Sequence, residues 1–384
     1  MTHQAHSAPP PQAPAVRQTP GPQEISPPEA LALRRAIELA DQGAGSALPN
    51  PVVGCVLLAP GGWTVGEGFH ERPGSPHAEI NALNAAGGWA RGATAVVTLE
   101  PCNHTGRTGP CSDALIDAGV KRVLVAVRDH WPTAAGGIER LRAAGVDVVD
   151  LSDLDRSGGT GQLVGAAHDV NRVWLTATQL GRPFVTWKAG MTIDGRVAAV
   201  DGSSRWITSA ESRADVHALR SRVDTMVAGI GTVLADDPQL TVRDADGNAT
   251  GPQPLRVVID SKGRTPSTAR VLDDAAATWV AIADEVGRDR EGRVDLPAVL
   301  TTLYRQGRRH VLLEGGPRLA AAFLDAGLVD EALVYVAPTL LGAGRSALDG
   351  GAVTTLTDAH HAELRDVTRF GPDVRLRFAI TAPN

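Results

Sequence analysis

The chain has 384 residues and a mass of 40.0 kDa, which is too long for one ordinary single-core domain, and its 43% hydrophobic content can fill sizeable cores. Acidic residues outnumber basic ones by 43 to 37, the net charge is -6, and no Lys/Arg-rich run is present, so a nucleic-acid partner is disfavoured. Three cysteines are too few for a disulfide framework, and no stretch approaches the roughly 18 apolar residues of a membrane span, so we expect a soluble protein of a reducing compartment.

The amino-terminal part of the chain combines a tail with the first predicted elements. Residues 1–25 are rich in Pro, Ala and Gln and are predicted to be disordered, because this composition cannot form a packed core. The motif Ser26-Pro27-Pro28-Glu29 predicts the start of a helix, with a serine cap, a proline at the first position and a glutamate that completes a capping box. The apolar run 52–58 predicts a buried strand, in which we expect Gly54 to let a ligand approach the backbone.

The rest of the first half alternates strands and helices. Strands are predicted at residues 94–99 and 122–127, and helices at 77–86, 111–118 and 138–144. This alternation is typical of an α/β layer sandwich. A shift to Ser, Asp, Gly and Thr at residues 152–161 precedes a helical stretch at 162–179. We therefore divide the ordered chain into a first domain at 26–160, a connecting helix and linker at 161–180, and a second domain at 181–384.

The second half is predicted to be an α/β unit of its own. Its helices include one that follows residues 208–211, interpreted as a capping box, and one at 317–326 that is closed by Gly327. Its predicted strands lie at residues 184–188, 225–229, 255–260, 278–283, 310–313 and 332–336.

A candidate zinc site is the sharpest chemical feature of the first half. His77, Cys102 and Cys111 offer one imidazole and two thiolates, which could hold Zn²⁺ and leave a fourth position open for water, as in catalytic sites. Glu79 follows closely and could carry the water's proton without ligating the metal. The H-x-E and P-C elements match the signature of zinc deaminases, although eight residues separate the two cysteines here. In the alternative interpretation the histidine packs at a helix start and the cysteines are small buried hydrophobes.

Other residues of the first half are candidates for a helix cap, for substrate contacts or for the core. Ser75 and Pro76 are predicted to be the cap and first position of the helix that carries His77. The amide of Asn50 can pair with the edge of a pyrimidine, but the surrounding Pro-Asn-Pro can equally be only a rigid entry to a strand. His70 is either a substrate ligand or a surface-loop residue. Cys55 lies inside an apolar strand run and is predicted to pack in the core.

Two glycine-containing turns and two arginines stand out in the second half. Residues 311–317, Val-Leu-Leu-Glu-Gly-Gly-Pro, predict a strand, a turn and a helix start, which could cradle a phosphate or be a plain connection. Residues 229–238 offer glycines, a hydroxyl and two carboxylates, which suit a ligand-binding loop or a solvated turn. Arg220 and Arg243 could hold a substrate phosphate or simply solvate the surface. No G-x-G-x-x-G fingerprint is present, so an ordinary Rossmann domain has little support.

The motifs together resemble one enzyme family. His77-Ala78-Glu79, joined to the run Pro-Cys-Asn-His-Thr-Gly-Arg-Thr-Gly-Pro-Cys at 101–111, is similar to the bifunctional deaminase-reductases of riboflavin biosynthesis, in which the wider cysteine spacing is usual. The similarity continues in order through both halves and covers about residues 27–380. It implies an α/β fold class, with an N-terminal cytidine-deaminase-like three-layer sandwich and a C-terminal dihydrofolate-reductase-like domain. The further matching segments are 49–55, 188–195, 204–208, 232–243 and 314–317.

This resemblance implies two consecutive reactions. The first is the zinc-dependent hydrolytic deamination of 2,5-diamino-6-(5-phosphoribosylamino)pyrimidin-4-one. The second is the NADPH-dependent reduction of the ribosyl group, which gives 5-amino-6-(5-phosphoribitylamino)uracil. The implied cofactors are Zn²⁺ and NADPH, and the implied partner is a small phosphoribosyl-pyrimidine. We expect a cytoplasmic homo-oligomer without nucleic-acid or membrane partners.

The resemblance also implies roles for individual residues. His77, Cys102 and Cys111 are the implied zinc ligands, and Glu79 is the implied proton shuttle. The residues implied to bind substrate are Asn50, His70 and Arg107 in the first domain and Ser204, Arg220, Leu240, Arg243 and Glu314 in the second. The residues implied to bind the cofactor are Gly190, Trp206, Thr232, Asp236, Ser261, Gly316, Pro317 and Arg318.

One departure from the family keeps alternatives open. Where relatives usually carry Asp-Pro-Asn-Pro, this chain reads Asp129-His130-Trp131-Pro132, and the Asn thought to help hold the phosphoribosyl group is absent. The main alternative is therefore a reductase whose impaired deaminase domain acts as a zinc-stabilised module. A second alternative is a zinc-stabilised binding module in which Glu79 is dispensable. A nucleic-acid deaminase is disfavoured by the negative charge and the 4% aromatic content.

Overall fold

The computed structural model describes residues 25–104, 109–131, 134–154, 156, 158–244 and 247–381. The predicted tail therefore lies outside the described residues except for Ile25, and so does Arg107.

The first unit is a five-stranded sheet with helices on both faces. Its helices are α1 (Pro27–Gln42), α2 (Ala78–Ala86), α3 (Cys111–Asp117) and α4 (Gly137–Ala143), with a 3-10 turn at Gly87–Ala90. Its strands are β1 (Gly54–Leu58), β2 (Thr64–Phe69), β3 (Thr94–Val97), β4 (Arg122–Val125) and β5 (Asp147–Asp150). The strand order is β2-β1-β3-β4-β5, in which β1 is antiparallel to both of its neighbours and β3, β4 and β5 are parallel.

Two apolar layers enclose this sheet. Cys55 and Leu57 of β1 pack in the layer that holds α2, α3 and α4. Val56 and Leu58 of the same strand face α1 and the long helix α5 (Gly159–Leu180). All five residues of β1 are buried, as expected for a strand that is covered on both faces. The predicted three-layer sandwich is confirmed, and so is the core position of Cys55.

Helix α1 begins where the capping motif predicts. The Ser26 backbone N–H donates to the Glu29 carboxylate at 2.7 Å, and the helix starts at Pro27. The interpretation of Gly54 as a ligand-approach position was wrong, because a Cβ there would lie 1.9 Å from the Ala36 carbonyl oxygen of α1. Glycine is required because the helix backbone packs directly on the strand.

Strand β2 was not predicted from the sequence, because its glycines are typical of a loop. A Cβ on Gly66 would lie 2.3 Å from the Ala82 carbonyl oxygen, and one on Gly68 would lie 2.5 Å from that of Ala78. The two glycines therefore allow α2 to pack closely on the strand. His70, which follows this strand, is only 3% exposed, so its interpretation as a surface-loop residue was wrong.

The second unit is a larger sheet with its own helices. Its helices are α6 (Ala210–Arg220), α7 (Ile230–Asp236), α8 (Ala283–Val286), α9 (Leu296–Arg305) and α10 (Pro317–Asp325), with 3-10 turns at Arg270–Leu272 and Leu356–Asp358. Its strands are β6 (Phe184–Thr192), β7 (Arg196–Ala198), β8 (Thr225–Gly229), β9 (Leu255–Ile259), β10 (Thr278–Ala281), β11 (His310–Leu313), β12 (Glu331–Ala337), β13 (Arg345–Ser346), β14 (Ala362–Phe370) and β15 (Asp373–Ile380). Eight of these strands form one sheet in the order β10-β9-β8-β11-β6-β12-β15-β14, and β7 pairs with β13.

The parallel part of this sheet determines where its site lies. Strands β10, β9, β8, β11, β6 and β12 are all parallel, so their carboxyl ends meet at one edge. Only β15 and β14 run antiparallel at the end of the large sheet.

Two predictions for helices of this unit are corrected. The predicted loop at 229–238 is largely helix α7. Ser209, rather than Thr208, caps α6, because its hydroxyl accepts from the Ser212 N–H at 3.2 Å.

The first unit lies against the amino ends of the same parallel strands. Arg222, just before β8, donates to both carboxylate oxygens of Asp41 at 3.1 and 3.2 Å. Gly307, just before β11, lies close to Pro49. Helix α5 packs against α1 on one side and against β6 and β11 on the other. No helix of the described residues combines the length and hydrophobicity that crossing a membrane requires.

Candidate active sites

Three metal-ligating side chains meet at the carboxyl end of the first unit's sheet. The Nδ1 atom of His77 lies 3.2 Å from the Cys111 Sγ and 3.6 Å from the Cys102 Sγ. All three ligand atoms lie within 4.8 Å of one another. Zn–S bonds of about 2.3 Å and Zn–N bonds of about 2.0 Å place tetrahedral ligand atoms about 3.5–3.8 Å apart, so this donor set fits a zinc ion.

The local structure explains how these ligands converge. His77 is the N-cap of α2, whereas Ser75 closes a turn by bonding to the backbone of Arg72, so the prediction that Ser75 caps the helix was wrong. Cys111 is the first residue of α3, and its backbone N–H donates to the Cys102 Sγ at 3.4 Å. Helix starts favour negative charge, which suits a thiolate.

The two thiols differ in their ease of ionisation. Hydrogen bonds from Cys111 and His77 lower the pKa of Cys102 to about 4, although burial opposes this shift. The neighbouring Cys102 sulfur and burial then raise the pKa of Cys111 well above its ordinary value. One thiolate therefore forms readily, and the second needs a cation beside it, as a bound metal would provide.

Glu79 lies in the first turn of α2 and is only 3% exposed. Burial, followed by the negative Cys102 sulfur, raises the pKa of Glu79 to about 7, and the positive charge of His77 offsets this only in part. A carboxyl group that titrates near neutrality can both accept and donate a proton. The residue is therefore suited to general acid-base chemistry beside the ligand cluster.

Asn50 and His70 form a hydrogen-bonded pair at the same site. The Asn50 Nδ2 lies 3.0 Å from the His70 Nε2, and the His70 Nδ1 lies 3.2 Å from the Pro76 carbonyl oxygen. Because Nδ2 and the carbonyl have fixed donor and acceptor roles, the imidazole carries its proton on Nδ1. Burial lowers the pKa of His70, which keeps the ring neutral.

These side chains line one cavity of about 310 Å³. Such a volume suits a small ligand. The cavity also includes residues from α5 and one from the second unit. The lining residues include Asn50, His70, His77, Glu79, Glu100, Cys102, Asp129, Trp131, Trp174, Thr178 and Arg309. A more open hollow of about 410 Å³ lies between α1 and the β1–β2 hairpin, and its lining includes none of the predicted site residues.

Sequence reasoning missed two residues that hold this cavity together. The buried Glu100 carboxylate accepts hydrogen bonds from the backbone N–H groups of Asp129, Gly136 and Ile138 at 3.0 to 3.2 Å, and so holds these three residues beside the cavity. Asn171 of α5 is 1% exposed and bonds to both the N–H and the carbonyl of Val52, next to Asn50. Neither belongs to a recognisable motif, and only the position of Glu100 directly before Pro101 could have suggested its role.

A second cluster of charged side chains lies at the carboxyl edge of the second sheet. Arg220 donates to both oxygens of Glu314, at 2.7 and 2.9 Å. Burial opposes ionisation of Glu314, but the charges of Arg220 and Lys188 lower its pKa to about 2. Burial lowers the pKa of Lys188, which belongs to the same cluster. The sequence analysis did not identify this residue, although a single lysine in a buried strand can indicate a functional site. Arg243 donates to Thr241, whose carbonyl accepts from Arg220.

The two glycine-containing turns face each other at this edge. Gly229 caps α7 and Gly316 caps α10, and a Cβ on Gly316 would lie 3.5 Å from the Thr232 hydroxyl. Within the described part of the chain, neither helix has a side-chain hydrogen bond at its cap. The free N–H groups of two adjoining helix starts form a cradle that fits the phosphates of a dinucleotide.

The remaining predicted residues are spread around this edge. Leu240 is buried with a positive φ of 53°, and Gly190 lies against Thr208. Trp206 is 70% exposed with the Arg213 guanidinium 4.4 Å from its ring centre. Ser261 accepts the Val294 N–H, and Arg318 is paired with Asp349. Pro317 is the first residue of α10. Among the described residues, no hydrogen bond or ion pair joins the cluster around Glu314 to Ser204, Asp236, Ser261 or Arg318.

Both halves match known families. Residues 28–127 match the family described as the cytidine and deoxycytidylate deaminase zinc-binding region. Residues 183–376 match the family described as the RibD C-terminal domain, which is half of the chain. The zinc-binding description agrees with the donor set of His77, Cys102 and Cys111.

Relatives with known names match both halves in order. Riboflavin biosynthesis protein RibD of Escherichia coli is 41% identical, over 90% of this chain and 97% of that protein. The RibD of Mycobacterium tuberculosis is 46% identical, over 91% of this chain and 96% of that protein.

Solved structures show the same architecture. Acinetobacter baumannii RibD has a TM-score of 0.80 and 38% identity, and covers 92% of this chain and 99% of its own. A diaminohydroxyphosphoribosylaminopyrimidine deaminase/5-amino-6-(5-phosphoribosylamino)uracil reductase of Thermotoga maritima has a TM-score of 0.81 and 31% identity, with the same coverage. The chain therefore belongs to the RibD family of riboflavin biosynthesis proteins, bifunctional enzymes that join a zinc-dependent deaminase to an NADPH-dependent reductase.

Proposed function

We propose that the first unit deaminates 2,5-diamino-6-(5-phosphoribosylamino)pyrimidin-4-one and that the second reduces the ribosyl group of the product to give 5-amino-6-(5-phosphoribitylamino)uracil. The observation that carries this proposal is the convergence of His77, Cys102, Cys111 and Glu79 on a cavity that suits a pyrimidine. We further propose that residues 26–160 form the deaminase domain, 161–180 the connecting segment and 181–384 the reductase domain, following the composition shift at 152–161.

In the deaminase, His77, Cys102 and Cys111 would hold zinc. Bound zinc supplies a water that is acidic enough to act as a nucleophile near neutral pH. Glu79 would accept a proton as the water oxygen bonds to the ring carbon that carries the amino group, and it would pass protons to the adjacent ring nitrogen and to that amino group, so that the C–N bond breaks, ammonia departs and a carbonyl remains. Asn50 is held by neutral His70, which leaves the amide oxygen available to a ring N–H of the substrate.

In the reductase, the chain mainly positions two bound molecules. NADPH supplies the hydride when it is bound. The facing turns of Gly229 and Gly316, with Thr232 between them, would hold its phosphates. Ionised Glu314 and its partner Arg220 would hold polar groups of the substrate, and Arg243 would contact its phosphate. We also propose Ser204 and Leu240 as substrate contacts. The further proposed cofactor contacts are Gly190, Trp206, Asp236, Ser261, Pro317 and Arg318.

The alternative of a reductase with an impaired deaminase is not favoured. Its motivation was the sequence at 129–132, yet Asp129 and Gly136 both donate to Glu100, and the cavity next to Glu79 is present. The ligand set and the acid-base residue are both in place. The RibD relatives match the deaminase half and the reductase half together, over 90% and 91% of this chain.

The test uses the full-length protein loaded with zinc. Ammonia release is followed without NADPH, and NADPH oxidation is followed after its addition. We expect ammonia first and NADPH consumption only afterwards. Reduction of supplied deaminated product, without any release of ammonia from the diaminopyrimidine, would instead support the reductase with an impaired deaminase.

The remaining expectations concern the assembly and its place in the cell. Leu364 and Val367, on the edge strand β14, are 52% and 58% exposed, and an edge strand with exposed apolar side chains can pair with another chain. We propose a homo-oligomer on this basis, to be checked by light scattering against the 40.0 kDa of one chain. A phosphorylated, strongly polar substrate fits a cytoplasmic location, which fractionation would test.

A further inference from the structure

The deaminase cavity is closed by residues from outside the deaminase unit. Trp174 and Thr178 belong to the connecting helix α5, and Arg309 directly precedes β11 of the second unit. The Arg309 backbone is fixed within that second sheet, because its N–H donates to Asp224 at 2.6 Å and its carbonyl accepts from Phe184 at 2.8 Å. The second unit therefore contributes Arg309 to the lining of the first unit's site, from a backbone position fixed by hydrogen bonds.

The charges around the cavity make this arginine distinctive. Glu79, Glu100 and Asp129 contribute three carboxyl groups to the lining. Arg309 is the only lysine or arginine among the described lining residues. A phosphate dianion that enters such a cavity needs a cation, because unpaired burial of the charge is costly. Trp131 carries no charge, and its ring packs 6.4 Å from that of Trp174.

The guanidinium is held in place with part of its donor capacity unused. Its Nη1 donates to the Tyr304 and Arg308 carbonyl oxygens, both at 3.0 Å, and its central carbon lies 4.0 Å from the centre of the Tyr304 ring. The Nε is buried without a hydrogen-bond partner, and no hydrogen bond of Nη2 is recorded among the described residues. Because the buried Nε is closed to a ligand, Nη2 is the nitrogen left to donate a charge-assisted hydrogen bond to a phosphate oxygen.

We infer that Arg309 binds the phosphate of the deaminase substrate, so that the reductase unit completes the deaminase site. This inference rests on the proposed function, because it takes the phosphorylated substrate from there. It predicts that Arg309 acts in binding rather than in the chemical step, which Glu79 carries at the other end of the substrate. It also gives a physical reason for joining the two units in one chain.

The test compares two substrates in the variant Arg309→Met. Loss of a charge-assisted hydrogen bond is expected to raise KM for the phosphorylated diaminopyrimidine about 10- to 100-fold, with kcat changed much less. The dephosphorylated riboside should have the same kcat/KM with the variant as with the unchanged protein. Equal losses on both substrates, or no loss on either, would overturn the inference.

A matched control is provided by the neighbouring residue. Arg308 donates to the Asp224 carbonyl and does not line the cavity, so Arg308→Met should leave both deaminase substrates unaffected. Zinc content and reduction of supplied deaminated product report whether either variant is folded. Normal values for both are expected.

A binding measurement separates this inference from the proposed function. Glu79→Gln should hold the substrate without turning it over, so titration calorimetry without NADPH can compare it with the double variant Glu79→Gln/Arg309→Met. We expect the dissociation constant to rise about 10- to 100-fold in the double variant. Equal constants would refute the role of Arg309 even if ammonia release is normal. If the unchanged protein releases no ammonia but the constants differ, the proposed reaction fails and the phosphate site stands.

Discussion

Glu79 is the residue on which the deaminase chemistry depends most directly. It is buried beside the ligand cluster, and its pKa is raised to about 7 by burial and by the Cys102 sulfur. We expect Glu79→Gln to lower ammonia release by about 10²- to 10⁴-fold, the usual contribution of a positioned acid-base group. Zinc content by metal analysis and reduction of supplied deaminated product should be unchanged. Retained ammonia release would support the zinc-stabilised binding module instead.

Arg220 and Glu314 are coupled more tightly than their separation in sequence suggests. Their side chains are only 15% and 11% exposed, and two hydrogen bonds join them. Arg220→Met would leave a buried carboxylate without its partner, which we expect to cost about 3–5 kcal/mol of unfolding free energy and to abolish the reductase. The double variant with Glu314→Gln should regain most of the stability but not the activity. Urea denaturation measures the first effect, and an unstable double variant would contradict the pairing argument.

Individual residues differ in how well the sequence predicts them. His77, Cys102, Cys111 and Glu79 belong to a spaced motif whose chemistry restricts the residue types. Glu100 and Arg309 carry no such signal, because their partners are backbone groups or a cavity that exists only once distant segments have folded together.

Close packing between elements explains several glycines and makes one of them testable. A Cβ on Gly54 would lie 1.9 Å from the Ala36 carbonyl, so Gly54→Ala must displace α1 from β1. We expect a loss of about 1–3 kcal/mol in the free energy of unfolding, as for other overpacked sites. Gly88→Ala is the matched control, because nothing lies within 4 Å of its Cβ position. Equal denaturation midpoints for the two variants would contradict this account.

Strand β11 contains a titratable group that links folding to pH. Burial and the charge of Arg172 lower the pKa of His310 to about 3, whereas an unfolded chain has a value of about 6.5. The unfolded state therefore binds a proton first as pH falls, and stability is lost between about pH 6.5 and 3. We expect the titration of this residue to lower the free energy of unfolding by about 2 kcal/mol at pH 5 relative to pH 7.

Chemical denaturation at the two pH values tests the role of this histidine. The variant His310→Gln should show a pH dependence that is flatter by about 2 kcal/mol. The exposed His361 provides the control, and His361→Gln should follow the unchanged protein. Parallel curves for all three proteins would show that His310 does not titrate as described.

The elements that the sequence reveals are those with an unambiguous hydrophobic pattern. The buried parallel strands β3, β4, β8, β9 and β11 are continuous apolar runs and were predicted close to their observed positions. Strand β2 was missed because Gly66 and Gly68 serve packing rather than a turn. Strand β14 alternates charged with apolar residues and is mostly exposed, so it lacks the apolar run on which the other predictions relied.

At the scale of the whole molecule, the two sites lie at opposite ends of one sheet. Arg309, at the deaminase cavity, precedes β11, and Glu314, at the reductase cluster, follows it, so about 17 Å of extended chain separates them. The space between is filled by packed side chains such as Val311 and Leu313. We therefore expect the deaminated product to leave the first site through solvent before it reaches the second.

This arrangement predicts a lag in the coupled reaction. After the diaminopyrimidine is added, NADPH oxidation should accelerate as free product accumulates, and the lag should lengthen when the protein is diluted. A mixture of Glu79→Gln protein with the Arg220→Met/Glu314→Gln protein, which is expected to keep most of its stability, should still carry out the complete conversion, because each supplies the half-reaction that the other lacks. If the unchanged protein shows no lag and the mixture is inactive, the product passes directly between sites within one assembly, and the separation across β11 does not isolate them.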